Sequence, residues 1–100
     1  MTQHVQAVVM NPKDNVATAL APLKAGSAVA LEAQGSALKV TLVSDIPMGH
    51  KFALRDIGEE EPIIKYGAPI GRSTRRVAKG EHVHVQNVTN HNIEAGVEPQ

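Results

Sequence analysis

A chain of 100 residues, 42% hydrophobic and 20% charged, has room for one soluble domain and not for two. Ten acidic residues balance ten basic ones, and the rings amount to one Phe and one Tyr, which excludes both the net charge and the stacking platform of a nucleic-acid binder. The absence of cysteine excludes disulfides, thiolate nucleophiles and thiolate metal ligands.

Residues 1–4 lack the basic and apolar regions of a secretory signal. The longest apolar runs, 7–10 and 28–31, fall far short of the ~20 residues that span a membrane. A cytoplasmic protein with no membrane partner is expected. Its core must come from Val, Ile, Leu and Ala, and a chain this short buries only about 65% of its unfolded surface. Docking on a larger partner, or pairing with a second copy of itself, would add the missing burial.

Glycine and proline recur from Pro12 to Gly80 and leave segments of roughly five to eight residues between them, a strand length. Strands are predicted near 4–10, 15–20, 27–33, 36–43, 51–56, 62–65, 70–75 and 82–88. In the second, Val16, Leu20 and Leu23 also fit a helical face, but Pro22 and the β-branched Val16 and Thr18 favour a strand. In the fourth, Leu38, Val40 and Leu42 alternate with Lys39, Thr41 and Val43; in the last, Val83 and Val85 alternate with His82, His84 and Gln86. Ile46-Pro47-Met48-Gly49-His50 is echoed by Ala68-Pro69-Ile70-Gly71-Arg72, read here as two similar turns, with pseudo-symmetric halves of a compact β fold as the other reading. Residues 89–100 show no periodicity and are expected to form a flexible tail or a docking tail.

His82-Val83-His84 is the best local signal for chemistry. Side chains two apart on a strand leave the same face about 6–7 Å apart, so both imidazoles can reach one metal ion; the plain alternative is two histidines on a solvated face. With no thiolate, nitrogen and oxygen donors would suit Fe(II), Mn(II) or Zn(II). Gly49-His50-Lys51 is the second signal. His50 can act as a ligand or a general base, and Lys51 can bind a carboxylate or stabilise an enolate; an ordinary surface turn would look the same. Tyr66 is expected to cap the small core, with contact between its hydroxyl and a ligand as the other role. Glu59-Glu60-Glu61 reads as a solvated turn. Arg72, Arg75 and Arg76 form a modest basic cluster, either a solvated face or an anchor for an anion.

Four ordered blocks carry a resemblance: Asp14-Asn15-Val16-Ala17; Ile46-Pro47-Met48-Gly49-His50-Lys51-Phe52-Ala53-Leu54-Arg55-Asp56-Ile57; Ile63-Ile64-Lys65-Tyr66-Gly67-Ala68-Pro69-Ile70-Gly71; and Gly80-Glu81-His82-Val83-His84-Val85-Gln86-Asn87. Over residues 4–88 the chain resembles the SAF domain of altronate dehydratases. It is also similar to the matching domain of galactarate dehydratases and to the small subunit of sulfolactate sulfo-lyase. The resemblance implies a mainly β, single small β-clip domain of short strands over 1–88, followed by the tail. It implies part of a lyase that removes water, or sulfite, from a 2-hydroxy acid, completed by a larger catalytic subunit or domain and using Fe(II) or Mn(II). The matching positions suggest His50 and Lys51 as catalytic, His82 and His84 as metal ligands, and Arg72 and Asn87 as substrate-binding. Gln86 stands where altronate dehydratases often have a further His, and Arg72 where they often have Tyr and the sulfo-lyase subunit tends to have Arg. A non-catalytic SAF module for binding or assembly is the alternative.

Overall fold

The computed structural model describes residues 6–33, 36–84 and 87–89. The strands are β1 (Ala7–Val8), β2 (Val16–Ala19), β3 (Ala28–Ala33), β4 (Ser36–Thr41), β5 (Lys51–Ala53), β6 (Pro62–Lys65), β7 (Ala68–Ser73), β8 (His82–Val83) and β9 (Val88–Thr89), with no helix among the described residues. The mainly β expectation holds.

A central sheet in the order β1-β2-β5-β8 is antiparallel throughout. Its two middle strands bury apolar side chains on both faces, with Thr18 and Lys51 paired at the end nearer His50. The register Val16↔Ala53 and Ala17↔Phe52 places these pairs on opposite sides, because successive side chains of a strand alternate. Ala17 and Phe52 join one core cluster with Val29, Leu31, Val40 and Leu42 of the segment around the β3–β4 hairpin. Val16 and Ala53 join a second cluster with Ile57, Ile63, Val77 and Val83, against the β6-β7-β9 sheet. Small side chains at Ala17, Ala19 and Ala53 let the layers approach closely, which is how a core with one Phe can close. A buried amide and a buried carboxylate tie the layers together. Asn15 donates to Pro62 O at 2.9 Å and accepts from Ile64 N at 2.8 Å, while Asp14 accepts from Gly67 N at 2.8 Å.

Four similar turns link these strands, and they pair two by two. Leu23 and Ile46 exchange backbone hydrogen bonds of 2.9 and 2.8 Å; Ile57 and Val77 exchange two of 2.8 Å. In the first pair Asp45 accepts from Ala25 N at 2.8 Å, and in the second Asp56 accepts from Lys79 N at 2.9 Å. Each turn closes with a further backbone bond: Ser27 N to Lys24 O, His50 N to Pro47 O, Glu61 N to Gly58 O and Glu81 N to Ala78 O, at 2.9–3.1 Å.

Three expectations need correction. The strand predicted over 82–88 is two short strands on different sheets: β8 pairs with β5, and β9 with β7. Asn87 causes the break, because its backbone N–H closes a turn on His84 O at 3.0 Å. The echo between 46–50 and 68–72 is not a repeated turn, since Ala68–Ser73 is strand β7 with a bulge opposite between Ile63 and Ile64. Strand β9 carries the fold one residue into the expected tail, Thr89 pairing with Arg72. Residues 4–5, Val85, Gln86 and the rest of the tail lie outside the described residues.

Candidate metal centre

His50 enters β5 from a tight turn. Gly49 takes φ +85°, a left-handed conformation that a Cβ would strain, and His50 O accepts from Ala19 N at 2.8 Å. The backbone of His50 is thereby fixed at the strand entrance. His82 opens β8, paired with Phe52, and Val83 stands opposite Lys51. Val83 is fully buried, which turns its two histidine neighbours away from the core. Although His84 has left the ladder, its ring still lies with the others.

The three rings stack almost parallel. Centroids are 4.0 Å apart for His50 and His84, 5.0 Å for His50 and His82, and 5.5 Å for His82 and His84, with interplanar angles of 11–19°. His50 Nδ1 and His82 Nε2 are 2.8 Å apart and share one proton, so at least one of these two imidazoles accepts there as a neutral ring. One nitrogen from each ring lies within 4.8 Å of the others. Nitrogens bound to one ion at about 2.0–2.1 Å stand roughly 3–3.4 Å apart, so the spacing suits a common ion. Parallel rings do not aim their lone pairs at one point, so ligation requires each ring to turn about its terminal torsion, which is soft. On donor type and spacing the three histidines fit a divalent transition metal.

Electrostatics favour the ligating form. Burial lowers the His82 pKa, reinforced by His50, His84 and Lys51 and opposed by Glu81. Burial also lowers that of His84, again with His50 and Lys51. Neutral imidazole is the state that binds metal. The Lys51 pKa is lowered by burial and then by the Lys65 ammonium. No carboxylate of the described residues pairs with Lys51. Glu81, the acid nearest the cluster in sequence, is held by Arg75.

The expected site residues therefore separate into groups. His50, His82 and His84 converge, with Lys51 beside them. Asn87, expected to touch substrate, is 0% exposed; its side chain donates to His82 O at 2.7 Å and accepts from His84 N at 3.0 Å. Arg72 lies on β7, between β6 and β9, and donates to Glu60 O at 2.7 Å. Arg75 and Arg76 pair with Glu81 and Asp56. Glu61 does more than face solvent, since its carboxylate accepts from Gly58 N at 2.8 Å and pairs with Arg55 at 2.6 Å. Tyr66 does not cap the core: it is 64% exposed at the β6–β7 turn, with Lys65 Nζ 5.0 Å from its ring centre.

The chain matches the altronate/galactarate dehydratase SAF domain family over residues 5–91. It is 45% identical over 83 residues to the altronate dehydratase of Escherichia coli (strain K12), which covers 83% of this chain and 16% of that protein. Identity to the altronate dehydratase of Bacillus subtilis (strain 168) is 40% over 80 residues, covering 80% of this chain and 15% of that protein. Identity to (2R)-sulfolactate sulfo-lyase subunit alpha of Chromohalobacter salexigens is 47% over 55 residues, covering 55% of this chain and 58% of the subunit.

Proposed function

The chain belongs to the altronate/galactarate dehydratase SAF domain family, and on that premise we propose that it is one part of a larger lyase acting on a 2-hydroxy sugar acid. The reaction is loss of water to a 2-keto-3-deoxy acid, in the cytoplasm, with a large catalytic subunit or domain completing the site. The short coverage of both dehydratases supports an assembly of this kind. The observation that carries the reading is the convergence of His50, His82 and His84 beside Lys51.

His50, His82 and His84 would hold the divalent ion, Fe(II) or Mn(II). When bound, such an ion supplies Lewis-acid polarisation of the substrate's oxygens. The chain's own residues do the rest of the binding. Lys51, with no carboxylate partner among the described residues, attracts the acid's carboxylate, and its ammonium stabilises the negative charge that develops as the alpha proton leaves. With His50 taken as a ligand in this reading rather than as the base, the proton acceptor would come from the larger chain. Docking of that chain excludes water and strengthens each of these interactions.

The test is reconstitution. The chain and the large chain are purified together, and loss of water from altronate and related acids is followed with Fe(II) or Mn(II) present. His82→Ala or His84→Ala should lower turnover at least tenfold, and Lys51→Ala should raise KM for the acid. Unchanged turnover in the histidine variants refutes the metal role.

Elimination of sulfite from a sulfonated hydroxy acid is the second reading. It is favoured by coverage of 58% of the sulfolactate sulfo-lyase alpha subunit, against 16% and 15% of the two dehydratases. Release of sulfite from sulfolactate by the same assembly, without dehydration of altronate, would select it.

A further inference from the structure

We propose that Asn87 is a positioning residue for the imidazole cluster, its buried carboxamide tying the backbone of His82 to that of His84 so that both rings face His50. The inference rests on the metal reading of that site and names what holds the ligands in place.

Residues two apart share a face only while the strand continues. Here the ladder ends at Val83, so His84 needs another constraint to keep its ring 4.0 Å from that of His50. Asn87 supplies it. Its Nδ2 donates to His82 O at 2.7 Å and its Oδ1 accepts from His84 N at 3.0 Å. Its backbone N–H donates to His84 O at 3.0 Å, and its own carbonyl accepts from Thr74 N at 2.9 Å, which anchors the turn to the end of β7. The side chain is fully buried, beyond the reach of substrate or ion in this arrangement. Each amide end thus holds one of the two ligand-bearing residues. Loss of either bond removes a tether and frees the 82–84 segment to move.

Asn15 offers a matched control. It is 3% exposed and its amide makes the same pair of backbone bonds, to Pro62 O and from Ile64 N, between elements that carry none of the three histidines. The experiment compares the chain with Asn87→Asp and Asn15→Asp. In each variant the carboxylate keeps the acceptor but has no donor for the carbonyl. Co(II) affinity is read from its visible spectrum, well below each melting temperature, and ring-to-ring contacts of the metal-free chain by NMR.

Asn87→Asp should weaken Co(II) binding about tenfold to a hundredfold, the usual effect of losing an outer partner of metal ligands. Asn15→Asp should keep the original affinity despite a similar loss of melting temperature. Binding by Asn87→Asp within twofold of the original overturns the proposal, as does equal weakening in both variants. If Asn87→Asp does not fold, Asn87→Ser carries the same comparison. A chain that binds no Co(II) at all sinks the metal reading alone. The NMR contacts then decide: loss of the His50–His84 contact in Asn87→Asp but not in Asn15→Asp upholds positioning, and its persistence in Asn87→Asp overturns it.

Discussion

Gly80 and Gly26 have nearly the same backbone conformation, φ +85° and +88°, in different surroundings, so alanine at each separates two effects. A Cβ on Gly26 would meet nothing within 4 Å. Gly26→Ala therefore carries only the left-handed cost, about 1 kcal/mol. A Cβ on Gly80 would lie 2.2 Å from Thr41 O, with Thr41 C at 3.1 Å and Leu42 Cα at 3.2 Å. Those atoms are backbone, so relief requires the 80–82 segment to move away from the end of β4 by about an ångström, given normal non-bonded separations. That movement breaks Val43 N to Gly80 O, 3.0 Å, and strains Gly80 N to Ala53 O, 2.9 Å. With a broken backbone hydrogen bond costing about 1–3 kcal/mol on top of the left-handed cost, Gly80→Ala should cost about 2–4 kcal/mol in total. That is a large share of the 5–15 kcal/mol typical of a domain. Urea unfolding of both variants reads the difference directly. Because His82 is two residues on, Co(II) affinity should also fall in Gly80→Ala and not in Gly26→Ala. Equal shifts of the urea midpoint would refute the close-approach argument.

Tyr66 and Gly67 form a two-residue turn with φ +58° and +77°, the conformation that favours Asn-Gly. Tyr66→Asn should raise stability by about 0.5–1 kcal/mol even after losing the Lys65 contact, and an unchanged or lower urea midpoint would refute the strain. The pH profile of the metal-free chain follows from His82 and His84, whose folded-state pKa values lie below the ordinary 6.5. As pH falls the unfolded chain takes up protons first, so this contribution is intact above 6.5 and is lost through the depressed folded values. The urea midpoint should fall from about pH 7 to 5, and His82→Gln with His84→Gln should flatten the slope; a midpoint that rises on acidification contradicts the assignment.

Local patterns were legible where the chemistry is local. Alternation over Leu38, Val40 and Leu42, and the β-branched Val16 and Thr18, located β4 and β2. His50 and His82 were recognisable as chemical groups, but only the β5–β8 pairing brings them together. The substrate role of Asn87 came from the resemblance alone, and its burial is not visible in a sequence, which does not show which amide lies inside. Tyr66, with so few rings available, read as a core residue; the turn chemistry of Tyr-Gly, which puts it in solvent, outweighed ring hydrophobicity. The repeat was visible and misaligned. Proline and glycine suggested matching 46–50 with 68–72, whereas the structural match runs from Asp45-Ile46 to Asp56-Ile57.

The corrected alignment explains why the site lies where it does. In the third and fourth turns a glutamate closes the unit: Glu61 holds Gly58 N and Arg55, and Glu81 holds Ala78 N and Arg75. In the second turn all three parts of that clip are replaced. Ser44 stands for the arginine, Pro47 has no N–H to offer, and His50 takes the place of the glutamate. Released from closing its own turn, the residue at this position is free to face β8, and Ser44 Oγ instead sits 3.4 Å from His82 N. The combined substitution Ser44→Arg, Pro47→Ala and His50→Glu should therefore rebuild the clip, leaving the fold intact and removing the metal site. His50→Glu alone leaves an oxygen donor with neither arginine nor N–H to hold it, so that variant should retain weakened Co(II) binding. Co(II) affinity in the triple variant equal to that of the single one would show that the turn does not control the ligand.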